Sequence, residues 1–262
     1  MKRFIVAVVT SSALLTSMFT QAGVVTVWGE RYNISTINTF YNGLAGHSSS
    51  IANGQLDTVD LSSTDLLWAV QPADSYTANE LSTMSSFLSG GGRIAFMGEH
   101  GNFAPSENNN INAALAALGA DISINNVVLD GGFRSASVGD GQILSHPLTQ
   151  GVDTYQYAAF APLSISGDAV ALMLGEELYN GMDSVMMAYQ NIGAGSVFLI
   201  TDQNVWDNSG SNWGGNFDNG TMFENLLAAS TNNPNEPPQV PEPASILLLS
   251  LGVAGLLRRR RK

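Results

Sequence analysis

The sequence predicts an α/β domain whose mostly parallel sheet carries helices on both faces, with an antiparallel hairpin near its C-terminal end. In the first half of the chain, buried strand patterns alternate with helical patterns, and the connections between them are short. This order favours parallel strands, because each helix returns the chain to the edge where the previous strand began. The second half contains four strand-length segments, and a Gly-rich turn joins the last two.

Three strands and three helices are predicted in the first half. Continuous apolar runs predict strands over 24–28, 65–70 and 93–97. Apolar residues at helical spacing predict helices over 35–44 and 109–118, the second closed by Gly119. Between them, Thr77 and Glu80 have the spacing of a capping box, which predicts a helix that starts there and ends at the glycines 90–92.

The second half is richer in strands. Segments 156–161, 169–174, 184–189 and 196–201 have strand length and β-rich composition, and the turn 193–195 predicts a hairpin between the last two. Asp218 is placed to cap a final helix over 220–229. The globular part is therefore predicted to span residues 23–230.

Several of these segments resemble a known fold family. The run Asp65-Leu66-Leu67-Trp68, a helix and then residues 91–99 look like the class I glutamine amidotransferase-like fold, which is a flavodoxin-like arrangement. Residues 146–152 and 195–202, followed by a capped helix, fit the same pattern. The resemblance covers about residues 24–229, and it is greatest to non-catalytic branches found in secreted or scaffold proteins.

The resemblance does not carry the amidotransferase reaction with it. In catalytic members, the turn that follows the strand corresponding to 93–97 holds a nucleophilic cysteine. Here that turn reads Gly98-Glu99-His100-Gly101, and the chain contains no cysteine. We therefore expect that the protein is not an amidotransferase, and that it is more a binding protein than an enzyme.

The N-terminal segment has the features of a secretory signal peptide. Lys2 and Arg3 precede a largely apolar, uncharged run over 4–20, and Ala22 lies at the end of a small-residue cleavage site. The order of charge, apolar run and small residues predicts that 1–22 are a signal peptide. The protein is then expected to be exported.

The C-terminal end resembles the PEP-CTERM signal, which exosortases of Gram-negative bacteria are thought to process. Pro241, Glu242 and Pro243 precede an apolar run over 246–257 and a basic end over 258–262. The resemblance implies an exosortase-type partner, transient retention in the inner membrane by the tail over 240–262, and final delivery to the envelope or the extracellular layer. A simple tail anchor is the alternative. Residues 231–239, rich in Pro and Asn, are predicted to be a linker.

Charge excludes one class of partner. Segment 23–243 holds three arginines and all 22 acidic residues of the chain, a net charge of −19. Such a surface repels nucleic acid and attracts cations. We expect no nucleic-acid partner.

The turn after the strand at 93–97 is the first candidate site. In sheets of this kind, ligands bind at the carboxyl ends of the strands, where Glu99, His100 and Asn102 lie. The glycines on either side of Glu99 and His100 allow a tight turn, so that these side chains can face a ligand. An ordinary turn with a solvated histidine is the alternative interpretation.

An oxygen-rich loop after the strand at 196–201 is the second candidate. Asp202, Asn204, Asp207 and Asp218 offer the oxygen ligands that calcium prefers, and the three aspartates are the candidate metal ligands. Trp206 in the same loop offers the aromatic face that a glycan needs. Because strands of a parallel sheet end at a common edge, this loop and Glu99 are expected to lie on the same rim.

The preferred interpretation is an exported, non-catalytic binding or matrix protein of the cell envelope, with calcium or an extracellular glycan as its ligand. The alternative is an exported hydrolase that uses Glu99 and His100 together with Asp202. A catalytic site would require these three residues to converge in one enclosed pocket with shifted pKa values. A purely structural matrix protein would have neither pocket nor ligand.

Overall fold

The computed structural model describes residues 23–29, 31–206 and 216–228. Four α-helices lie in this part of the chain: α1 (Ile34–Gly43), α2 (Ala78–Ser89), α3 (Pro105–Leu118) and α4 (Asn219–Ala228). The strands are β1 (Val24–Gly29), β2 (Ser48–Ala52), β3 (Leu66–Val70), β4 (Arg93–Met97), β5 (Ile122–Ile124), β6 (Arg134–Ser137), β7 (Thr154–Tyr157), β8 (Leu163–Ile165), β9 (Val170–Leu174), β10 (Val185–Ile192) and β11 (Gly195–Ile200).

Nine of these strands form one mixed sheet in the order β2-β1-β3-β4-β11-β10-β8-β5, with β9 also paired to β10. The first five are parallel neighbours. After β11 the sheet becomes antiparallel, beginning with the β10–β11 hairpin. Strands β6 and β7 form a separate antiparallel pair. The predicted α/β class, the parallel order of β1, β3 and β4, and the hairpin are confirmed.

The two faces of the sheet are buried by different helices. Alternate side chains of a strand point to opposite faces, so Trp68 of β3 packs with Tyr41 of α1 and Phe223 of α4, whereas Leu67 packs with residues of α2 and α3 on the other side, including Met84. Both faces of the central strands are apolar, as expected of a parallel sheet covered on both sides.

The helix boundaries follow their capping residues. The Thr77 side chain accepts a hydrogen bond from the Glu80 backbone nitrogen, and the Glu80 carboxylate accepts one from the Thr77 backbone, which confirms the predicted capping box. Helix α3 begins at Pro105, four residues before the predicted start at 109. Proline suits the first helical position, because its missing N–H has no partner there in any case. Gly119 ends the helix at φ 80°, as the sequence predicted.

Some short strands were not predicted, and one was predicted in the wrong place. Strand β2, with the sequence SSSIA, has no apolar alternation and is recognisable only by its pairing with β1. The strand expected over 156–161 ends at Tyr157. The next backbone amide, that of Ala158, donates instead to the Asp202 carboxylate, at 2.6 Å.

A buried arginine lies at the amino end of β4, one of the central strands. Arg93, the first residue of β4, is 1 % exposed. Its Nε donates to the Ser196 hydroxyl at 2.9 Å and its Nη1 donates to the carbonyl of Leu226 in the last turn of α4. The guanidinium also lies 5.5 Å from the centre of the Tyr189 ring. These contacts fasten α4 to the middle of the sheet.

Within residues 23–29, 31–206 and 216–228, the structure contains no helix that is both long and apolar enough to span a bilayer. The predicted signal peptide, with its cleavage residue Ala22, lies outside the described residues. So do the predicted linker over 231–239 and the tail with Pro241, Glu242 and Pro243.

Candidate functional site

The carboxyl ends of β1, β3, β4 and β11 meet along one edge of the sheet, here called the rim. The loops that follow these strands are joined by hydrogen bonds. The Gln203 backbone nitrogen donates to Glu99 Oε2 at 2.9 Å, and Asn33 Nδ2 donates to the Gln203 carbonyl at 2.8 Å. The expectation that Glu99 and the loop after β11 share one rim is therefore confirmed.

The turn after β4 is packed too tightly to accept side chains at its glycines. A Cβ at Gly98 would lie 2.6 Å from Asn108 Oδ1, and one at Gly101 would lie 2.2 Å from the backbone of Asn126. Asn108 holds the turn from α3, because it accepts from the Glu99 nitrogen at 3.0 Å and donates to the Glu99 carbonyl. Asn108 is one of three consecutive asparagines in the first turns of α3, and nothing in the sequence distinguishes it from the other two.

Glu99 is buried, and each oxygen of its carboxyl group accepts a backbone hydrogen bond. The side chain is 1 % exposed. Oε1 accepts from the His100 backbone nitrogen at 2.8 Å, and Oε2 accepts from Gln203. Burial, together with the charge of Asp202, raises the pKa of Glu99 to about 8. Both causes favour the protonated form of Glu99.

Asp202 lies beside Glu99 and is also fully buried. Its two oxygens accept from the backbone nitrogens of Ala158, at 2.6 Å, and Asn204, at 2.8 Å. Burial raises the pKa of Asp202 to about 7, although the two backbone hydrogen bonds act in the opposite direction. Burial disfavours the charged form of both groups, and a charge on Asp202 disfavours one on Glu99, since ionising both would place two like charges close together.

His100 and Asn102 lie at the outer side of the same turn. His100 Nε2 is 3.8 Å from Glu99 Oε1, too far for a hydrogen bond, and its Nδ1 is buried without a partner. Burial lowers the pKa of His100, so the ring is neutral at neutral pH. Asn102 is exposed. The structure thus brings Glu99, His100 and Asp202 together, but it turns the two carboxylates inward.

Trp206 does not offer a surface for a glycan, contrary to the expectation from the sequence. It is fully buried, and its ring stacks on Phe223 with 4.0 Å between centroids. It also packs edge-on against Trp68 and Phe40. The ring belongs to the core on the α1 and α4 face, where apolar burial outweighs the polar composition of the surrounding loop.

The three predicted metal ligands are not brought together in the described structure. The Asp218 carboxylate accepts from the backbone of Asp153 and Thr154, at the start of β7, whereas Asp202 accepts from Ala158 just beyond its end. Four residues of extended chain separate these attachment points by about 13 Å. Asp207 lies outside the described residues. No group of three or more His, Asp or Glu side chains among the described residues is arranged to hold a metal.

An exposed aromatic pair that the sequence analysis missed lies on the rim. Tyr32, in the loop after β1, is 48 % exposed, and Phe103, after β4, is 43 % exposed. Their ring centroids are 5.4 Å apart, and Phe103 also lies 6.0 Å from the His100 ring. The two residues are 71 positions apart in the chain, so only the pairing of the strands brings them together.

Comparison with known proteins identifies the C-terminal end. Residues 239–262 match the PEP-CTERM protein-sorting motif. The chain carries a PEP-CTERM sorting signal. It is therefore an exported protein that an exosortase-type system sorts to the cell surface, as the residues Pro241, Glu242 and Pro243 predicted. Among curated proteins, none is similar enough in sequence to match the chain.

Solved structures are similar in fold to the described part of the chain. The N-terminal domain of mmIFT52 has a TM-score of 0.62 at 15 % identity, covering 80 % of this chain and 99 % of that one. The cytoplasmic protein STM3548 from Salmonella typhimurium has a TM-score of 0.53 at 11 % identity, covering 79 % and 98 %. A GMP synthase protein from Thermoplasma acidophilum has a TM-score of 0.52 at 11 % identity, covering 80 % and 94 %. The predicted likeness to class I glutamine amidotransferase-like folds is confirmed.

The turn after β4 has neither a cysteine nor the strained backbone on which an exposed nucleophile commonly lies. An exposed nucleophile commonly sits on a strained turn between a strand and a helix. The described non-glycine residues with positive φ are Asn33, Gln71, Asp130 and Asn180, and none of them lies in the turn 98–101. With no cysteine in the chain, the cysteine chemistry of the amidotransferases is excluded.

Proposed function

We propose that the protein is a non-catalytic binding or matrix component of the cell envelope, which contacts neutral polysaccharide through the exposed rings of Tyr32 and Phe103. This aromatic pair is the observation that carries the proposal. Two adjacent exposed rings offer the apolar faces on which sugar rings pack, and the exposed side chain of Asn102 lies on the same turn as Phe103. The net charge of −19 in segment 23–243 disfavours anionic polymers.

The state of Glu99 supports a non-catalytic role. A catalytic carboxyl must reach its substrate directly or through one water. Here both oxygens of Glu99 accept backbone hydrogen bonds, and so do both oxygens of Asp202. Each carboxyl therefore holds two loops together and has no oxygen directed to solvent. We assign the pair a structural role, in keeping with a non-catalytic branch of the fold.

In this proposal, the two ends of the chain direct the export and the sorting of the protein. Residues 1–22 are the signal peptide, and the linker over 231–239 separates the domain at 23–230 from the tail. A helix over the apolar run 246–257 would span about 18 Å, short of a hydrocarbon core of about 30 Å. Such a segment gives weak, temporary retention in the inner membrane before an exosortase-type enzyme acts at Pro241, Glu242 and Pro243.

A glycan array with the purified exported protein tests the binding role. The variants Tyr32→Ala and Phe103→Ala should each lower binding to neutral polysaccharides, since stacking on an aromatic ring is lost. Phe133→Ala is the matched control, because that ring is 55 % exposed and is not part of the Tyr32–Phe103 pair. Arrays run with and without calcium separate a cation-dependent surface from a purely aromatic one. If all three variants bound neutral polysaccharides as strongly as the wild type, the proposal would be overturned.

One observation favours the alternative, an exported hydrolase. The raised pKa values of Glu99 and Asp202 are of the kind that catalytic acids have. Glycan hydrolysis by the purified protein that is abolished in Glu99→Gln, while binding persists, would establish the hydrolase and replace the non-catalytic interpretation. Unchanged glycans after prolonged incubation would support the binding role.

A further inference from the structure

The main sheet has two outermost strands, β2 at one end of its strand order and β5 at the other. An outermost strand presents a row of backbone N–H and C=O groups with no strand beside it, and such a row can pair with a strand of another molecule. Proteins commonly prevent this pairing with charged residues or proline in the edge strand. The sequences of β2, SSSIA, and of β5, ISI, contain neither. These two edges therefore need another form of protection.

An asparagine side chain covers the outer side of β2. The Ser48 nitrogen donates to the Gly23 carbonyl, towards β1, so the backbone groups of the next residue, Ser49, point away from β1. Asn42, in the last turn of α1, bonds to both of them. The Ser49 nitrogen donates to Asn42 Oδ1 at 2.9 Å, and Asn42 Nδ2 donates to the Ser49 carbonyl at 2.9 Å. A residue of an added antiparallel strand would make the same two bonds, so the carboxamide occupies the position of that strand.

Strand β5 is covered in the same way by a different helix. The Asn125 nitrogen donates to the Pro162 carbonyl, towards β8, so the backbone groups of Ile124 point to the outer side. The Ile124 nitrogen donates to Asn112 Oδ1 at 2.7 Å, and Asn112 Nδ2 donates to the Ile124 carbonyl at 3.0 Å. Asn112 belongs to α3. The same pair of bonds thus closes both ends of the sheet.

Helix formation gives no reason for asparagine at these two positions. Asparagine is a weaker helix former than alanine, because its side chain competes for backbone hydrogen bonds in non-helical conformations. Asn112 nevertheless lies in the interior of α3, and Asn42 lies one residue before the end of α1. The bonds to the edge strands supply a reason that the helices themselves do not.

We propose that Asn42 and Asn112 keep the sheet of one copy of this protein from pairing with the sheet of a second copy. The edge at β2 is the more accessible one, since Ile51 is 38 % exposed, whereas the two isoleucines of β5 are 3 % and 5 % exposed. The uncharged β2 also lacks the repulsion that charged side chains would supply at this edge. Two copies would present the same edge, which gives antiparallel pairing of β2 with β2 about a twofold axis. This inference does not rest on glycan binding.

Sedimentation velocity of the purified exported protein, over a range of concentrations, tests this inference. The wild type should remain monomeric. Asn42→Ala suits the helix but removes both bonds to β2, so this variant should self-associate, and its mass should approach twice that of the wild type as the concentration rises. Asn112→Ala should associate less, because β5 is shorter and more buried. Asn79→Ala is the matched control: it replaces an exposed asparagine of α2 and should stay monomeric.

A second substitution identifies the surface through which the Asn42→Ala variant associates. The Ile51 N–H points to the same side as that of Ser49, because the direction of the backbone groups alternates along a strand. Proline at Ile51 removes this outward donor and is tolerated in an edge strand. Asn42→Ala combined with Ile51→Pro should therefore be monomeric. Hydrogen exchange of the Ser49 amide, measured at low concentration, should be about three- to tenfold faster in Asn42→Ala, the effect of one lost hydrogen bond.

Three results would overturn the inference. The first is an Asn42→Ala variant that is folded and monomeric at every concentration. The second is self-association that persists when Ile51→Pro is added, since another surface would then be responsible. The third is a Ser49 amide that exchanges at the wild-type rate in Asn42→Ala, which would mean that the carboxamide does not cover the edge.

Discussion

The Gln203 backbone nitrogen lies 2.9 Å from Glu99 Oε2, so the turn after β4 is hydrogen-bonded to the loop after the neighbouring strand. Glu99 and Asp202 together connect the segments after β4, β11 and β7. The turn after β4 and the loop after β11 thus contribute a pair of buried carboxyl groups that link loops. The pair makes the stability of the rim dependent on pH.

We expect the melting temperature to fall as the pH rises from about 5 to about 8.5, through the raised pKa values of Glu99 and Asp202. A carboxyl whose pKa is raised by folding stabilises the native state fully below its usual pKa of about 4. That contribution is lost as the pH passes the raised value. Glu99→Gln cannot ionise, so its melting temperature should vary less over this range. Over this pH range, the melting temperature of the wild type should fall by roughly 3 °C or more beyond the fall seen in Glu99→Gln.

The comparison between wild type and variant isolates this effect. Burial lowers the pKa values of His100 and His146, which contributes a slope of the opposite sign, but these groups are present in both proteins. Asp168→Asn, which changes an exposed acid, should keep the wild-type slope. Identical pH profiles for Glu99→Gln and wild type would mean that Glu99 does not titrate in this window.

Trp206→Ala should lower the free energy of unfolding by about 3–5 kcal/mol, the usual cost of removing a large buried aromatic side chain. Trp206→Phe keeps a ring against Phe223 and removes an N–H that has no partner, so its cost should be much smaller. Chemical denaturation measures both. A Trp206→Ala variant of wild-type stability with reduced glycan binding would restore Trp206 as a surface residue.

Gly101→Ala should destabilise the protein by about 1–3 kcal/mol, because the added Cβ overlaps the backbone at Asn126. The cost cannot be avoided by a side-chain rotation, since the obstructing atoms belong to the main chain. Gly131→Ala is the matched control: its Cβ meets open space, and the change should stay within about 0.5 kcal/mol. Equal denaturation midpoints for the two variants would show that the turn is not tightly packed.

Glu242→Ala should leave the protein in the inner membrane with its basic end intact, because Glu242 is the acidic residue of the sorting motif. Glu236→Ala, in the predicted linker, should be processed normally. Fractionation and mass spectrometry of the C-terminal peptide measure both. Detection of Lys262 on the released wild-type protein would contradict cleavage within the motif.

The central strands could be predicted because the physical causes of their formation are local. In β3 and β4, five consecutive buried residues make a continuous apolar run. Helix α2 was recognisable from the capping box between Thr77 and Glu80. Strand β2 gave no such signal, because its polar residues form a strand only by pairing with β1 at the edge of the sheet.

The site was predicted in position but not in chemistry. The rule that parallel strands end at a common edge correctly placed Glu99 beside Asp202. The direction of their side chains could not be predicted, because it depends on backbone amides of Gln203 and Ala158 that are distant in sequence. Trp206 was misjudged for the same reason: its polar loop gave no sign of the packing against Phe223.

The anchoring of α4 by Arg93 bears on how this protein withstands mechanical force. Helix α4 ends at Ala228, and the sorting motif begins at residue 239, so tension applied through the C-terminal tail enters the domain at this helix. The Arg93 guanidinium donates to the Leu226 carbonyl and belongs to β4, in the middle of the sheet. Tension on α4 is thereby transmitted to β4 and to the parallel strands on both sides of it. It does not act on the contacts of α4 with the surface alone. While the tail retains the protein in the inner membrane, before processing, the domain would resist shear at this junction.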